Sequence, residues 1–187
     1  MAYYKDVREY LQALENNDKL VRIKQPINKD TELHPLVRLQ YRGLAEADRR
    51  AFLFEKVVDF KGRSFDIPVA IACYAGNLDI YALGMQCKKD EIYDKWTRAQ
   101  SHPIEPVEVK SAPCQERVIQ GAELKERGLD MLPVPISTPG FDNGPYTTSS
   151  HFVTRDPETG QYNMGNYRGQ IKATDRMGCY AGNFSGL

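Results

Sequence analysis

The sequence predicts an α+β fold, in which a lobe of mixed helices and strands precedes a segment of antiparallel strands. Helical and strand-like hydrophobic patterns alternate up to about residue 100. Prolines and turn residues are then concentrated, and residues rich in Thr, Ser, Phe and Val follow them. We therefore divide the chain into an N-terminal α/β lobe over residues 1–110, a Pro/Gly-rich connection over 111–145 and a β segment over 146–187.

The first lobe begins with an amphipathic helix. Val7, Tyr10 and Leu14 have the spacing of one helical face, and Asp6 is placed to cap its start. The continuous apolar run at 68–73 predicts a strand that is buried on both faces. The remaining patterns of this lobe predict strands at 20–23, 51–54 and 57–58 and helices over 34–44, 79–85 and 88–100.

The β segment contains a clear hairpin signal. Asp156–Gly160 has proline early and glycine late, as in a tight turn, between predicted strands at 146–155 and 162–174. A third strand begins near Met177. Three strands are few for an independent sheet, so we expect further chain or a partner subunit to complete it.

The composition is that of a globular protein, with 41% hydrophobic and 27% charged residues. The 25 basic residues balance the 25 acidic ones, so the chain lacks the charge that favours nucleic acid or an anionic membrane. Its apolar runs are far shorter than the about 20 residues that span a bilayer. The four cysteines form no C-x-x-C pair. We therefore expect a cytoplasmic protein with reduced thiols, no membrane span and no nucleic-acid partner.

One short segment has the residue types of a binding site. Asn163 follows the hairpin turn, where its amide oxygen can face a metal or a phosphate, and Gly165 permits close approach. A guanidinium at Arg168 can hold a carboxylate through two hydrogen bonds. Strand spacing puts Asn163 and Arg168 on opposite faces unless a bulge intervenes, which Gly165 and Gly169 favour. Spacing alone nevertheless favours an ordinary hairpin with a solvent-facing arginine.

The order of several motifs resembles the UbiD-type decarboxylase family, whose enzymes use prenylated flavin mononucleotide (prenylated FMN). The resemblance extends over all 187 residues. It is most specific for the last three of its segments, in their order and spacing. The segments are 6–11, 20–23, 51–55, 132–135, 144–146, 154–160 and 163–168.

The resemblance implies a fold and a site. The β segment would begin a split β-barrel that binds the flavin. Asn163 would ligate Mn²⁺ or Mg²⁺ at the cofactor phosphate, with K⁺ beside it, and Arg168 would be the catalytic residue that orients the substrate carboxylate. For Tyr180 and Phe184, a place in the strand core is an equal alternative. The implied cofactor-binding residues are Asn163, Asn166, Tyr167, Arg168, Tyr180, Ala181, Gly182, Ser185 and Gly186.

The resemblance also implies an activity, the reversible non-oxidative decarboxylation of an aromatic or α,β-unsaturated carboxylic acid. The family's catalytic acid and glutamate metal ligand would lie beyond Leu187, so we expect an N-terminal part of a homo-oligomeric enzyme that is inactive by itself. Two alternatives remain open. One is a non-catalytic subunit or fragment that needs a partner, and the other is a split-barrel flavin reductase. The chain has no G-x-G-x-x-G motif for the nicotinamide cofactor of a reductase.

Overall fold

A computed structural model describes residues 3–180 and residue 182, which form a mixed α+β structure with small sheets, as predicted. The sheet orders are β1-β3-β6, β2-β4-β5 and β11-β10-β7, with β8-β9 as a two-stranded sheet. The helices are α1 (Val7–Asn16), α2 (Leu33–Gly43), α3 (Leu78–Met85), α4 (Ile92–Ser101) and α5 (Ala122–Glu126). The strands are β1 (Leu20–Ile23), β2 (Ile27–Asn28), β3 (Ala51–Phe54), β4 (Val57–Val58), β5 (Ser64–Phe65), β6 (Val69–Ile71), β7 (Tyr146–Thr147), β8 (His151–Arg155), β9 (Tyr162–Asn166), β10 (Gly169–Ala173) and β11 (Arg176–Cys179).

The chain divides into two compact units that interleave along the sequence. The domain boundaries predicted near residues 110 and 145 remain predictions. In the part of the chain that the structure describes, every helix is too short or too polar to cross a membrane. The first unit comprises residues 1–27, 36–57 and 66–118, and the second comprises 28–35, 58–65 and 119–187.

The first unit is organised around α1. The Asp6 side chain accepts hydrogen bonds from the backbone amides of Arg8 and Glu9 and so caps the helix, as predicted. Tyr10 and Leu14 are buried on one face of α1. They belong to a core cluster in which a large aliphatic side chain such as that of Leu14 stabilises the fold by about 1.5–3 kcal/mol. The buried members of the cluster are Tyr10, Leu14, Ala51, Cys73 and Ile80.

The sheet of the first unit mixes parallel and antiparallel pairs. β1 runs parallel to β3, and β6 pairs antiparallel with the other side of β3. The prediction of a strand buried on both faces at 68–73 is wrong. β6 is an edge strand whose three residues are only half-buried. A short apolar run does not reveal whether its strand has one neighbour or two, because the pairing depends on residues far away in the sequence.

The second unit contains the predicted hairpin. β8 and β9 pair antiparallel from His151 opposite Asn166 to Arg155 opposite Tyr162. The Asp156 carboxylate accepts hydrogen bonds from two backbone amides of the turn, which lowers its pKa below the usual aspartate range. The backbone of each residue in the turn is therefore held in place locally, as the turn chemistry predicts.

The prediction of one strand over 162–174 is wrong. β9 ends at Asn166 and β10 begins at Gly169, and the two strands belong to different sheets. Tyr167 and Arg168 therefore lie between two sheets. The bulge expected near Gly165 and Gly169 is also not observed. The register irregularity of β10 lies instead between Ile171 and Ala173, where β10 pairs with β11. The apolar residues change parity at the break, from Tyr162 and Met164 to Tyr167 and Ile171, so one continuous strand would place them on opposite faces.

Two sets of ion pairs, one buried and one partly exposed, support the second unit. The Lys29 ammonium lies 2.6 Å from the Asp30 carboxylate, and both side chains are almost fully buried. Arg63 donates to Asp59 at 2.7 Å and to Asp130 at 3.0 Å, which links β5 to the turn at 129–131. Burial acts to raise the pKa of Asp59, but the hydrogen bonds from Arg63 and Lys61 outweigh it and leave the pKa below the usual value.

Candidate functional site

A cavity of about 520 Å³ opens in the second unit beside the break between β9 and β10. This volume lies within the range of small-molecule sites, about 300–1,000 Å³. Of the residues that the resemblance singled out, the structure brings Asn166, Tyr167, Arg168 and Tyr180 together here. The described residues that line this cavity, called the Arg168 cavity below, are Tyr146, Asn166, Tyr167, Arg168, Gln170, Gly178, Cys179 and Tyr180.

The guanidinium of Arg168 is positioned by an aromatic ring. Its central carbon lies 5.2 Å from the ring centroid of Tyr146, which is a cation–π distance. Within the described part of the chain, the ion pairs and hydrogen bonds of the second unit involve other side chains than that of Arg168. The N–H groups of Arg168 are therefore available to a ligand. A planar guanidinium with several donors can bind a carboxylate through two hydrogen bonds at once.

Tyr167 is fixed by its contacts with the hairpin. Its ring meets the ring of Phe152 edge-on, with a centroid distance of 6.0 Å, and its backbone amide donates to the Ser150 carbonyl. A Cβ atom at Gly165 would lie only 2.2 Å from the Tyr167 ring. The close approach expected at Gly165 is therefore made by a side chain of the same unit, and it places Tyr167 against the hairpin.

Asn163 lies on β9 of the hairpin. It pairs with Thr154 and shares a strand face with Gly165, against which Tyr167 packs. Asn163 is not among the described residues that line the Arg168 cavity. Hard divalent ions take about six oxygen ligands. Asn163 offers one, and no group of three or more His, Cys, Asp or Glu that could hold a metal occurs among the described residues. The metal role of Asn163 therefore remains a prediction.

Gln170 is a site residue that sequence reasoning missed. It is buried, lines the Arg168 cavity and donates from its side-chain amide to the side-chain oxygen of Asn143. Thr147 of β7 accepts from the Gly169 amide at 3.2 Å, so β7 and the turn cluster before it are each joined to β10 by a side-chain hydrogen bond. The available signal was the position of Gln170 two residues after Arg168, which is the same face of an extended chain.

The remaining predicted residues follow β11. Tyr180 is 85% exposed, so its alternative place in a strand core is wrong. Gly182 is near Tyr180, because a Cβ atom at Gly182 would lie 3.3 Å from the Tyr180 ring. Gly182 is not among the residues described as lining the cavity. The predicted residues Ala181, Ser185 and Gly186, and also Phe184, lie outside the described residues.

Comparison with known proteins assigns both parts of the chain to one family. Residues 11–100 match the 3-octaprenyl-4-hydroxybenzoate carboxy-lyase N-terminal domain. Residues 105–185 match the 3-octaprenyl-4-hydroxybenzoate carboxy-lyase Rift-related domain, which includes the whole described lining of the Arg168 cavity. The chain belongs to the UbiD family. The resemblance seen in the sequence is thereby confirmed.

UbiD-class enzymes are similar to the chain over nearly its whole length. A phenolic acid decarboxylase from Sedimentibacter hydroxybenzoicus is 31% identical over an alignment 192 residues long, which covers 95% of this chain and 37% of that protein. An evolved dimeric form of HmfF from Pelotomaculum thermopropionicum, in complex with prenylated FMN, has a TM-score of 0.79 and 26% identity over 96% of this chain and 39% of that one. The closed form of vanillic acid decarboxylase from S. hydroxybenzoicus has a TM-score of 0.78 and 29% identity, over 97% and 38%. The chain therefore spans well under half the length of these relatives.

Proposed function

We propose that this chain is part of a carboxy-lyase that uses prenylated FMN for the reversible non-oxidative decarboxylation of an aromatic or α,β-unsaturated carboxylic acid. The observation that carries the proposal is the guanidinium of Arg168, which stacks on Tyr146 and is paired with no acidic side chain among the described residues, in a cavity of the Rift-related region. Relatives named as decarboxylases of phenolic and vanillic acid support this substrate class. The complex of HmfF with prenylated FMN supports the cofactor.

The residues of the Arg168 cavity fit part of a flavin. Tyr146, Tyr167 and Tyr180 supply aromatic surface for a planar ring system, and Asn166 and Gln170 supply amides for its polar edge. Bound prenylated FMN supplies an electron sink for the bond between the substrate and its carboxylate. We assign cofactor contacts also to Asn163, Ala181, Gly182, Ser185 and Gly186, and we propose that this part of the chain begins a split β-barrel. Asn163 then offers its oxygen to Mn²⁺ or Mg²⁺, with K⁺ beside it.

Arg168 orients the substrate in this proposal. Its contact with the Tyr146 ring restricts the guanidinium without using its N–H groups, which then hold the substrate carboxylate in one plane. Correct orientation of the bond that breaks is a large part of what a protein adds to cofactor chemistry. A lysine has one compact charged group and cannot reproduce the planar, two-point contact.

The experiment measures cofactor and ligand binding separately. The chain is co-expressed with a prenyl-flavin synthase and purified, and its absorption spectrum and the mass of the released cofactor are recorded. We expect bound prenylated FMN and, by calorimetry, binding of 4-hydroxybenzoate. Arg168→Lys should keep the flavin but weaken 4-hydroxybenzoate binding about tenfold or more, and an assembly that decarboxylates should lose most of its turnover.

Arg155→Lys is the matched control. Arg155 lies on β8, and its guanidinium is 5.3 Å from the Tyr162 ring, so it makes a similar cation–π contact away from the cavity lining. This variant should bind flavin and 4-hydroxybenzoate as the unchanged chain does. Equal ligand binding by Arg168→Lys and Arg155→Lys would show that the role of Arg168 is wrong. Oxidation of a nicotinamide cofactor by the flavin-loaded chain would instead favour a flavin reductase.

The lengths of the relatives bear on how the chain works. Because it spans only 37–39% of proteins that are named as decarboxylases or UbiD-class enzymes, we infer that it acts together with further protein. That protein is either a continuation of the chain or a partner subunit, and it supplies the carboxylic acid that protonates the product carbon. A homo-oligomeric assembly in the cytoplasm remains part of the same proposal.

A further inference from the structure

A second cavity, of about 400 Å³, lies within the first unit among α1, α3 and α4. Its lining is predominantly apolar and is rich in aromatic rings. It shares no residue with the Arg168 cavity, whose described lining belongs to the second unit. We call it the aromatic pocket, defined by Tyr4, Asp6, Tyr10, Tyr74, Tyr81 and Trp96.

The innermost rings of the aromatic pocket are held by hydrogen bonds. The Tyr10 hydroxyl donates to the Cys73 carbonyl at 2.5 Å, and the Tyr4 hydroxyl donates to the Leu83 carbonyl at 2.9 Å. The Tyr4 and Tyr10 ring centroids are 5.2 Å apart with the planes inclined by 52°. The Tyr74 ring is parallel to that of Tyr10 within 4°. Because the two hydroxyl protons are used by the backbone, these tyrosines offer a ligand no O–H donor, and the buried Tyr10 ring supports the rings that surround it.

The three outer rings of the aromatic pocket are about half exposed to solvent. Tyr74 is 53% exposed, Tyr81 is 44% exposed and Trp96 is 57% exposed. Single exposed aromatic residues are common on protein surfaces, but a cluster around a cavity marks a binding site. These three rings come from the segment before α3, from α3 itself and from α4, so the fold brings them together from separate parts of the sequence.

The charge of the pocket is negative. Asp6 is the charged residue among the described lining, and hydrogen bonds from the amides of Glu9 and Arg8 hold its pKa below the usual range, so it is ionised at neutral pH. The nearest cations have other roles. Lys95 donates to the carbonyls of Met85 and Gln86, and the Arg8 side chain, 3.4 Å from Asp6, is 86% exposed. Water screens so exposed a guanidinium, so Arg8 offsets the charge of Asp6 only in part, and Asp6 remains the charged group of the described lining.

We propose that the aromatic pocket binds an organic cation of the alkylammonium class. Aromatic faces attract cations through their negative quadrupole, and trimethylammonium groups are bound in proteins by aromatic cages of this kind. The Asp6 carboxylate adds attraction for a cation and repels the anionic carboxylic acids proposed for the Arg168 cavity. The pocket is therefore a second ligand site with the opposite charge preference, and its existence does not depend on the proposed decarboxylase function.

The test compares two probes of the same shape. Choline carries a trimethylammonium group, and 3,3-dimethyl-1-butanol replaces its nitrogen with carbon and is neutral. Calorimetry on the 187-residue chain should show that choline binds several-fold more tightly than the neutral alcohol, the size expected of cation–π contacts with half-exposed rings. Equal binding of the two probes, or no binding of choline, would overturn the proposal.

Variants identify the groups responsible. Asp6→Asn removes the charge but keeps the helix cap, because asparagine caps as well as aspartate. It should lower choline affinity several-fold while circular dichroism and the unfolding midpoint stay unchanged. Trp96→Leu should abolish the preference for choline over the alcohol. Tyr93→Leu removes a ring that is 77% exposed on the same helix but does not line the pocket, and it should have no effect. Unchanged choline binding by both Asp6→Asn and Trp96→Leu would place the ligand elsewhere and refute the assignment.

Discussion

A single methyl group added at Gly165 would test whether the ring of Tyr167 must lie where it does. The Cβ atom of Gly165→Ala would be 2.2 Å from Cε2 and 2.8 Å from Cζ of that ring, whereas ordinary contact begins at 3.4 Å. The clash is with a ring and not with the end of a flexible chain. The ring of Tyr167 must therefore shift by more than an ångström, and it lines the Arg168 cavity.

The energetic effect of Gly165→Ala can be worked out from these contacts. Overpacking of this size destabilises by about 1–3 kcal/mol. Loss of the edge-on contact between Tyr167 and Phe152 removes about 0.5–1.5 kcal/mol. Because Gly165 does not have a positive φ, alanine restricts the unfolded chain and returns about 0.4–1 kcal/mol. We expect the free energy of unfolding to fall by about 2 kcal/mol.

Two measurements separate stability from binding in this variant. Urea unfolding gives the free energy, and flavin content after gel filtration gives cofactor retention. Gly165→Ala should lose both. Adding Tyr167→Ala should remove the clash and restore much of the stability but not the flavin. Gly43→Ala is the control, because its Cβ would meet nothing within 4 Å and Gly43 does not line the Arg168 cavity. Normal stability and full flavin retention in Gly165→Ala would refute the reasoning.

Three further predictions concern other residues of the second unit. Asn163→Ala should reduce manganese and flavin retention about 10–100-fold with little change in the unfolding midpoint, and unchanged metal content would contradict the metal role. The pKa of Asp59 is lower in the folded protein than its ordinary value of 3.8. The ionised carboxylate therefore stabilises the fold fully above pH 3.8, and this stabilisation is lost as the pH falls through the lower pKa of the folded state. Asp59→Asn should therefore weaken the pH dependence of unfolding below about pH 4, and overlapping acid-unfolding curves would show that another group is responsible. The 187-residue chain, loaded with cofactor and manganese, should not decarboxylate aromatic or acrylic acids. Its relatives are much longer, and the carboxylates of Asp156 and Glu158 in the hairpin turn are exposed. Clear turnover would refute this expectation.

Local signals explain most of what could be predicted from the sequence. The helix cap at Asp6, the apolar face of α1 and the turn at 156–160 depend on residues within one or two turns of each other. The structure forms all three as expected. The grouping of Tyr167 with Arg168 was also within reach, because consecutive residues stay together whichever fold surrounds them.

Long-range partners explain what could not be predicted. Gln170 and Asn143 are 27 residues apart, and nothing in either local sequence indicates that their side chains form a hydrogen bond. The neighbours that β9 and β10 find depend on distant segments, although the change of parity of the apolar residues between Met164 and Tyr167 marks the break itself. The aromatic pocket is a further case. The sequence places Trp96 on one face of a helix, but it does not show that residues of α1 and α3 line the same pocket.

The separation of the β8–β9 hairpin from the other sheets has a consequence for how the second unit gains its rigidity. A two-stranded sheet is marginally stable in water, and on this one Val153, Tyr162 and Met164 are each more than half exposed. Such a hairpin opens locally at a small fraction of the free energy of global unfolding. The proposed cofactor would contact both Asn163, on the hairpin, and Arg168, which follows it. It would then bind only while the hairpin is formed, so part of its binding free energy would oppose the local opening. Cofactor occupancy would then slow amide hydrogen exchange across the whole hairpin and complete the ordering of this unit.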